Sequence, residues 1–256
     1  MYPLNQKRAG IILAAGIGSR LNGLRTKQKL VKPLTSVDGL MLLLRAIRSL
    51  EKADCHKVVI VLGWQADKIK AYINAHYAGS TEIAFAFNQN YQLRNGLSVL
   101  CARPFVEEEF VLTMADHILD DKIMMLARNH RPPKDGATLC VDYKLDSIFD
   151  LEDATKVIAA GHLIKKIGKG IKGYNCVDTG VFIGTKGLME AIEKIYLQKG
   201  DSSLSEGVQL LADKGRMEVL DIKDAFWQDV DTPEMLLHAE KLLRWKTIDP
   251  EKLASL

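Results

Sequence analysis

Four short apolar runs, Ala9–Ala15, Lys57–Leu62, Glu82–Phe87 and Phe110–Met114, alternate with segments of helical character along the first half of the chain. Runs this short and this uniformly apolar suit strands buried on both faces, as in a parallel sheet covered by helices. Between them, Asp38 is placed to cap a helix carrying Leu42, Leu43, Ala46, Ile47 and Leu50 on one side, and Asp67–His76 and Gly96–Arg103 read as further helices. Strand and helix repeated in this order predict a doubly wound, mostly parallel α/β sheet, whose ligands bind where the strands end.

Beyond His130 the pattern changes. Arg131-Pro132-Pro133 breaks the chain, and Ala137–Tyr143, Thr155–Ala159, His162–Ile167 and Val181–Gly184 read as strands with few helices between them, so a more antiparallel second half is expected. Helices return at Lys186–Gln198, Ser203–Lys214 and Pro233–Trp245, the last with Pro233 in its first turn. With no internal repeat, low-complexity segment or long linker, the expectation is one continuous domain over residues 1–256, its second half elaborating a binding cleft.

Composition removes several function classes. The chain has 256 residues, enough for a sizeable core, with 47% hydrophobic and 26% charged residues, and no apolar run approaches the roughly 18 residues a spanning helix needs. A net charge of +3, with lysines spread along the chain, does not suit a protein that coats nucleic acid. Cys55, Cys101, Cys140 and Cys176 are too widely spaced for a metal knuckle or a secreted disulfide framework, which favours buried thiols in a reducing cytoplasm. Met1–Gly10 has no apolar segment ahead of the first strand, so no signal peptide is expected. The six histidines show no HExxH spacing, and Trp64, Trp227 and Trp245, with the Met41–Leu44 stripe, read as core or oligomer contacts.

The first strand runs into Gly16-Ile17-Gly18-Ser19-Arg20, a turn whose glycines let backbone N–H groups approach phosphate oxygens. A turn packed tightly on a helix asks for the same glycines, so the cations decide. Arg20 lies within the loop and Lys32 follows shortly, both in a segment too polar for core, whereas Lys27 and Lys29 read as a solvated face. The P-loop pattern is absent, and a dinucleotide fingerprint fails at Leu21 and at Gly63-Trp64. Asp116 stands at the end of the Phe110–Met114 run, where it serves either a ligand or a helix cap. Trp227-Gln228-Asp229-Val230-Asp231-Thr232-Pro233 is a second acidic strand end, in which Asp231 or Thr232 is a candidate cap. Asn95 and Ser98 offer amide and hydroxyl groups for a base edge, or simply start a helix.

Together these residues resemble the nucleotidyltransferases that join a nucleoside triphosphate to a phosphorylated sugar or alcohol. The family opening LAAGxGxRL…KPL is matched by Leu13-Ala14-Ala15-Gly16-Ile17-Gly18-Ser19-Arg20-Leu21 and Lys32-Pro33-Leu34, and its W-x-D-[IV]-D-T-P-like segment by Trp227–Pro233. The resemblance implies a Rossmann-like, GT-A-like nucleotidyltransferase fold with an antiparallel substrate-binding elaboration, residues 1–130 forming the nucleotide-binding half and 131–256 the acceptor-binding half. It implies nucleotide contacts at Leu13, Ala14, Ala15, Gly16, Gly18, Ser19, Arg20, Asn95 and Ser98, and catalytic roles for Arg20, Lys32 and Asp116. It also implies Mg²⁺ on Asp116 and Asp231, with Asp229 as the alternative ligand. Lys169, then Lys166, match the lysine that meets the acceptor phosphate, and Asp178-Thr179-Gly180 matches the acceptor-site turn.

The N-x-x-S form at Asn95–Ser98 and the His117 that follows Asp116 shift the resemblance toward CTP:inositol-1-phosphate cytidylyltransferases, which otherwise are fused to a membrane-bound transferase that consumes CDP-inositol. The partners implied are CTP and inositol 1-phosphate, no nucleic acid, a second copy of the chain as one option, and a separate membrane transferase for the product. Phosphocholine and hexose 1-phosphates stay open as acceptors. Phosphocholine needs an aromatic or acidic cage, and aromatics at 7% form no clustered box in the sequence. A non-catalytic nucleotide-binding regulator is the remaining alternative; its expected mark is loss of Arg20, Lys32 or an aspartate, and all are present.

Overall fold

The computed structural model describes residues 8–21 and 31–247, with side chains through Arg244. Met1–Lys7, Lys27, Lys29 and the Trp245 side chain lie outside the described residues.

The first half alternates as its sequence predicts. β1 (Arg8–Ala14) leads through the glycine loop and a 3₁₀ turn, Lys32–Leu34, to a small hairpin of β2 (Ser36–Val37) and β3 (Leu40–Met41). Then come α1 (Leu42–Lys52), β4 (Cys55–Leu62), α2 (Ala66–His76), β5 (Glu82–Phe87), α3 (Gly96–Cys101) and β6 (Glu109–Met114). A short strand β7 (His117–Leu119) and α4 (Asp121–Asn129) follow. The second half comprises β8 (Ala137–Asp142), β9 (Lys156–Ala160), β10 (Leu163–Gly168), β11 (Cys176–Thr185), α5 (Lys186–Lys199), α6 (Leu204–Ala212), β12 (Met217–Asp221), β13 (Trp227–Asp229) and α7 (Pro233–Thr247).

Nine strands form one sheet in the order β5-β4-β1-β6-β11-β8-β12-β10-β9. β5, β4, β1 and β6 run parallel, β11 is antiparallel to both β6 and β8, and β12 returns parallel to β8. Strand residues alternate between two cores. Ile11, Phe110 and Leu112 pack with Val99, Leu188, Ile192 and Val208 on one face, while Ile12 and Val111 pack with Leu43, Ile47, Ile69 and Met124 on the other. This two-sided burial is why the central strands read as continuous apolar runs. The sheet reverses its order at β1, which has β4 on one side and β6 on the other, and a crevice opens there at the strand ends.

Three local features differ from expectation. Asp38 does not cap α1. It lies with Gly39 in a two-residue turn, at φ 48° and 76°, that closes the β2–β3 hairpin in the type I′ manner Asp-Gly favours. Met41 occupies the cap position of α1 without a side-chain bond, and Leu42 N–H donates to the Thr35 carbonyl instead. Asp116 does not cap a helix either, because β7 intervenes and Asp120 caps α4 by accepting from Lys122 N–H at 3.1 Å. Finally, β7 pairs antiparallel with β13 as a two-stranded ribbon separate from the main sheet, joining His117 to Asp229 and Leu119 to Trp227.

Phe110 is fully buried at the centre of the sheet and lies against Gly184 of the antiparallel neighbour, where an added Cβ would come 2.4 Å from its Cζ. The Phe110→Ala substitution is expected to cost about 3–5 kcal/mol through lost burial and an unfilled cavity. Urea unfolding followed by circular dichroism measures it, and a cost below about 1 kcal/mol would mean that the site collapses around the missing ring.

Candidate active site

The glycine loop is shaped by contact with Lys32. Gly18 holds φ at +64°, and a Cβ there would stand 2.7 Å from the Lys32 Cβ, so this position admits glycine on both conformational and steric grounds. Lys32 is buried at 7% exposure, and its Nζ donates to Asp116 Oδ2 and to Asp231 Oδ1. Arg20, on the exposed side of the loop, donates to Asp231 Oδ2 at 2.7 Å and to Asp153 Oδ2 at 2.6 Å. Lys169 donates to the other Asp153 oxygen at 2.5 Å.

Backbone pairing brings the two acids together. Asp116 lies between β6 and β7, Asp231 follows β13, and the β7–β13 ribbon sets these ends side by side, with Val230 N–H donating to the Asp116 carbonyl at 2.9 Å. Thr232, not Asp231, acts at the start of α7, its Oγ1 accepting from Met235 N–H at 3.3 Å. The Asp231 carboxylate is therefore left to the cleft.

Two adjoining cavities share Arg20, Asp116 and Asp231. The first, about 300 Å³, is lined by Leu13, Ala14, Gly16, Gly18, Ser19 and Lys32 among others. The second, about 240 Å³, is lined by Asn95, His117, Asp153, Lys169, Asp178, Gly180, Trp227 and Asp229 among others. The charged trio thus stands at the junction of two compartments, an arrangement suited to joining two anionic substrates once their charge is balanced.

Electrostatics follows from burial and pairing. Burial alone would raise the Asp116 pKa, but attraction to Lys32 and the hydrogen bond from His117 outweigh it and hold the carboxyl well below its ordinary range. For Lys32, burial favours loss of its proton, and the two carboxylates more than restore its charge. Arg20 is kept charged chiefly by its hydrogen bond to Asp153, whose own carboxyl is lowered because Lys169 and Arg20 overcome its desolvation. Asp178 is pushed up to about 6 by burial, with Gly180 N–H and His117 only partly offsetting that. Burial also raises Asp229, beside the negative Asp116 and Asp231.

The donor set suits a hard divalent cation. One ammonium, Lys32 Nζ, reaches an oxygen of both Asp116 and Asp231, so both carboxylates converge on one cationic position. Among the described residues no group of three or more His, Cys, Asp or Glu forms a candidate metal site.

Some expected residues fall outside the cavities. Ala15 is buried and its carbonyl accepts from Trp64 N–H. Ser98 is buried in α3, its hydroxyl accepting from Asn88 Nδ2 at 3.0 Å, and Asn95 uses Oδ1 to accept from Leu204 N–H at 2.9 Å while still lining the second cavity. Thr179 is fully buried and donates to the Cys140 carbonyl at 2.8 Å. Lys166 is exposed on β10 and lines neither cavity, in contrast to Lys169. Sequence reasoning missed Asp153, which binds both Arg20 and Lys169; Trp227, read as a core or oligomer contact, packs against the core and also lines the second cavity. Of the four free cysteines, Cys55, Cys140 and Cys176 are buried, with their thiols pushed up to about 12 by burial, and Cys101 is half-buried.

Comparison with known proteins shows the family. Residues 10–212 match a family model described as a MobA-like NTP transferase domain. The chain is 31% identical over 234 residues to the bifunctional IPC transferase and DIPP synthase of Aquifex aeolicus, an overlap of 91% of this chain and 51% of the relative. It is 30% identical over 233 residues to the protein of that name from Archaeoglobus fulgidus, covering 91% and 43%. The chain thus spans about half the length of the curated relatives it matches. Among solved structures, the inositol-1-phosphate CTP transferase from T. maritima superposes with a TM-score of 0.78 at 28% identity, over 93% of this chain and 98% of that one.

The raised Asp178 pKa has a stability consequence. Between its unfolded value near 3.8 and its folded value of about 6, the folded state binds more protons, so stability falls as pH rises through that window and stays reduced above it. Asp178→Asn keeps an oxygen for Gly180 N–H and removes the penalty. It is expected to be more stable than the parent at pH 8, by about 2–3 kcal/mol at most, with the difference vanishing below about pH 4. Denaturant unfolding across pH tests this, and a pH-independent difference would contradict the assignment.

Proposed function

Because the chain belongs to the MobA-like NTP transferase family, we propose that it transfers a cytidylyl group from CTP to inositol 1-phosphate, giving CDP-inositol and pyrophosphate. The observation that carries this reading is the convergence of Asp116 and Asp231 on Lys32, facing the glycine loop at the junction of two cavities.

In the proposed reaction an acceptor phosphate oxygen attacks the α-phosphorus of CTP, the bond from that phosphorus to the oxygen bridging the β-phosphorus breaks, and pyrophosphate leaves with that electron pair. No covalent enzyme intermediate is required. The chain's task is alignment and charge neutralisation. Gly16 and Gly18 let the loop backbone approach the triphosphate in the first cavity, and Arg20 and Lys32 supply positive charge beside it. In the second cavity Lys169 would meet the acceptor phosphate, while Asp178 offers a carboxyl group to ring hydroxyls. Asp116 and Asp231 would hold Mg²⁺, which when bound supplies charge stabilisation to the phosphates. The presence of Arg20 and both aspartates in the walls of both cavities supports a shared role for them with the two substrates.

No described helix is long and apolar enough to cross a membrane. Consumption of the product by a membrane transferase, a cytoplasmic setting and a homodimer complete the proposal.

Pyrophosphate release tests it. Four nucleoside triphosphates are paired with inositol 1-phosphate, phosphocholine and hexose 1-phosphates in the presence of Mg²⁺, with CTP and inositol 1-phosphate expected to be the preferred pair. Arg20→Ala and Asp116→Asn are each expected to lower kcat by ~10²–10³, and Arg20→Ala, on the exposed side of the loop, to do so with little change in the unfolding midpoint. Preference for another pair would replace the substrate assignment, and no release with any pair would favour a non-catalytic nucleotide-binding role.

A further inference from the structure

We propose that His117 is a positioning residue that fixes the Asp116 carboxylate for cation binding, an inference resting on the reading of Asp116 as a cation ligand. The two residues are neighbours in sequence, and neighbours in an extended strand point to opposite faces, so contact between their side chains is not a default of β geometry. Here the chain turns between β6 and β7, and His117 Nδ1 lies 2.7 Å from Asp116 Oδ1. Lys32 takes the other oxygen, Oδ2, so each carboxylate oxygen has its own partner. Donation requires only that Nδ1 carry a hydrogen, which holds for the Nδ1–H neutral tautomer and for the imidazolium alike.

The imidazole is itself held from elements distant in sequence. It stacks on Trp227 of β13, with centroids 6.0 Å apart and planes 17° from parallel. The Trp227 indole is anchored in turn, its Nε1 donating to the buried Asp142 at 3.0 Å. From β11, Gly180 comes so close that a Cβ would lie 2.6 Å from both Cδ2 and Nε2 of the imidazole. Gly180 also holds φ at +76°. A histidine serving only to fill space would not need its Nδ1 edge directed at a carboxylate. Hydrogen bonds to a ligating carboxylate orient it, and their loss costs on the order of 10–100-fold in metal affinity or activity.

The test is a direct titration of Mn²⁺ into the full chain without nucleotide, read by calorimetry, for the parent and for His117→Asn, His117→Gln, His117→Ala and Gly180→Ala. The Asn amide places an N–H near the Nδ1 position, whereas the Gln amide reaches toward Nε2. His117→Ala and His117→Gln are expected to weaken Mn²⁺ binding by ~10–100-fold, His117→Asn to retain most of it, and Gly180→Ala to follow His117→Ala because its methyl displaces the ring. Parent-like affinity in His117→Ala, equal affinities for the Asn and Gln variants, or no Mn²⁺ binding by the parent would each overturn the proposal. Because Asn and Gln place the same amide in the same pocket, a general folding defect does not reproduce the difference between them. Pyrophosphate assays on the same preparations keep the two readings apart: the expected Mn²⁺ pattern in a parent that transfers no nucleotide supports the positioning role and counts against the reaction alone.

Discussion

The structure of the cleft depends on one buried ammonium shared by two carboxylates. Lys32 is almost wholly removed from water, and an isolated charge there would be costly, so it requires compensation close by. Asp116 and Asp231 provide it from either side, and the same contact fixes the relative positions of the glycine loop, the end of β6 and the start of α7. Replacing Lys32 would leave two facing carboxylates without the cation they share, and replacing either acid removes one of the two contacts that offset burial of the lysine, which is why the arrangement behaves as a unit. An ion trio of this kind is a poor device for stability alone, and its value lies in the concentrated charge it presents to a ligand.

Around the trio the charges continue in a chain. Arg20 links Asp231 to Asp153, and Asp153 links Arg20 to Lys169, so the cations facing the two cavities are joined through carboxylates. Both outer pairs are partly exposed, at 53% for Arg20 and 58% for Lys169, so solvent screens them more than the Lys32 contacts. The cleft therefore has tightly held charge at its centre and more readily exchangeable pairs at its rim.

Much of this was legible in the residues. The parallel strands announce themselves because burial on both faces demands uninterrupted apolar runs, and Gly16, Gly18, Arg20 and Lys32 lie close in sequence as well as in space. Asp116 and Asp231 were readable as strand-end acids, but only coordinates show them meeting. Other features carry weaker signals. Val37-Asp38-Gly39-Leu40 contains an Asp-Gly hairpin cue that competes with a cap reading of Asp38, and tertiary closure of the hairpin prevails. Strands of three residues, as in β7 and β13, are too short for periodicity to mark. The helix α4 has a readable cap in Asp120 but only a brief apolar face in Ile123, Met124 and Ala127. Asp153 sits among Asp146, Asp150 and Glu152, and nothing local distinguishes the one acid that reaches Arg20. Ser98 and Thr179 illustrate the converse, polar side chains in motif-like positions whose hydroxyls bond inside the fold.

The β7–β13 ribbon also has a consequence for biogenesis. A chain emerging from the ribosome presents its amino-terminal strands first, yet Lys32 and Asp231 are separated by 199 positions. Until β13 has been synthesised and laid against β7, the early half carries a lysine lacking one of its two counter-charges. Assembly of the pocket is thereby deferred to a late step of translation, so a partly made polypeptide does not hold the finished cleft.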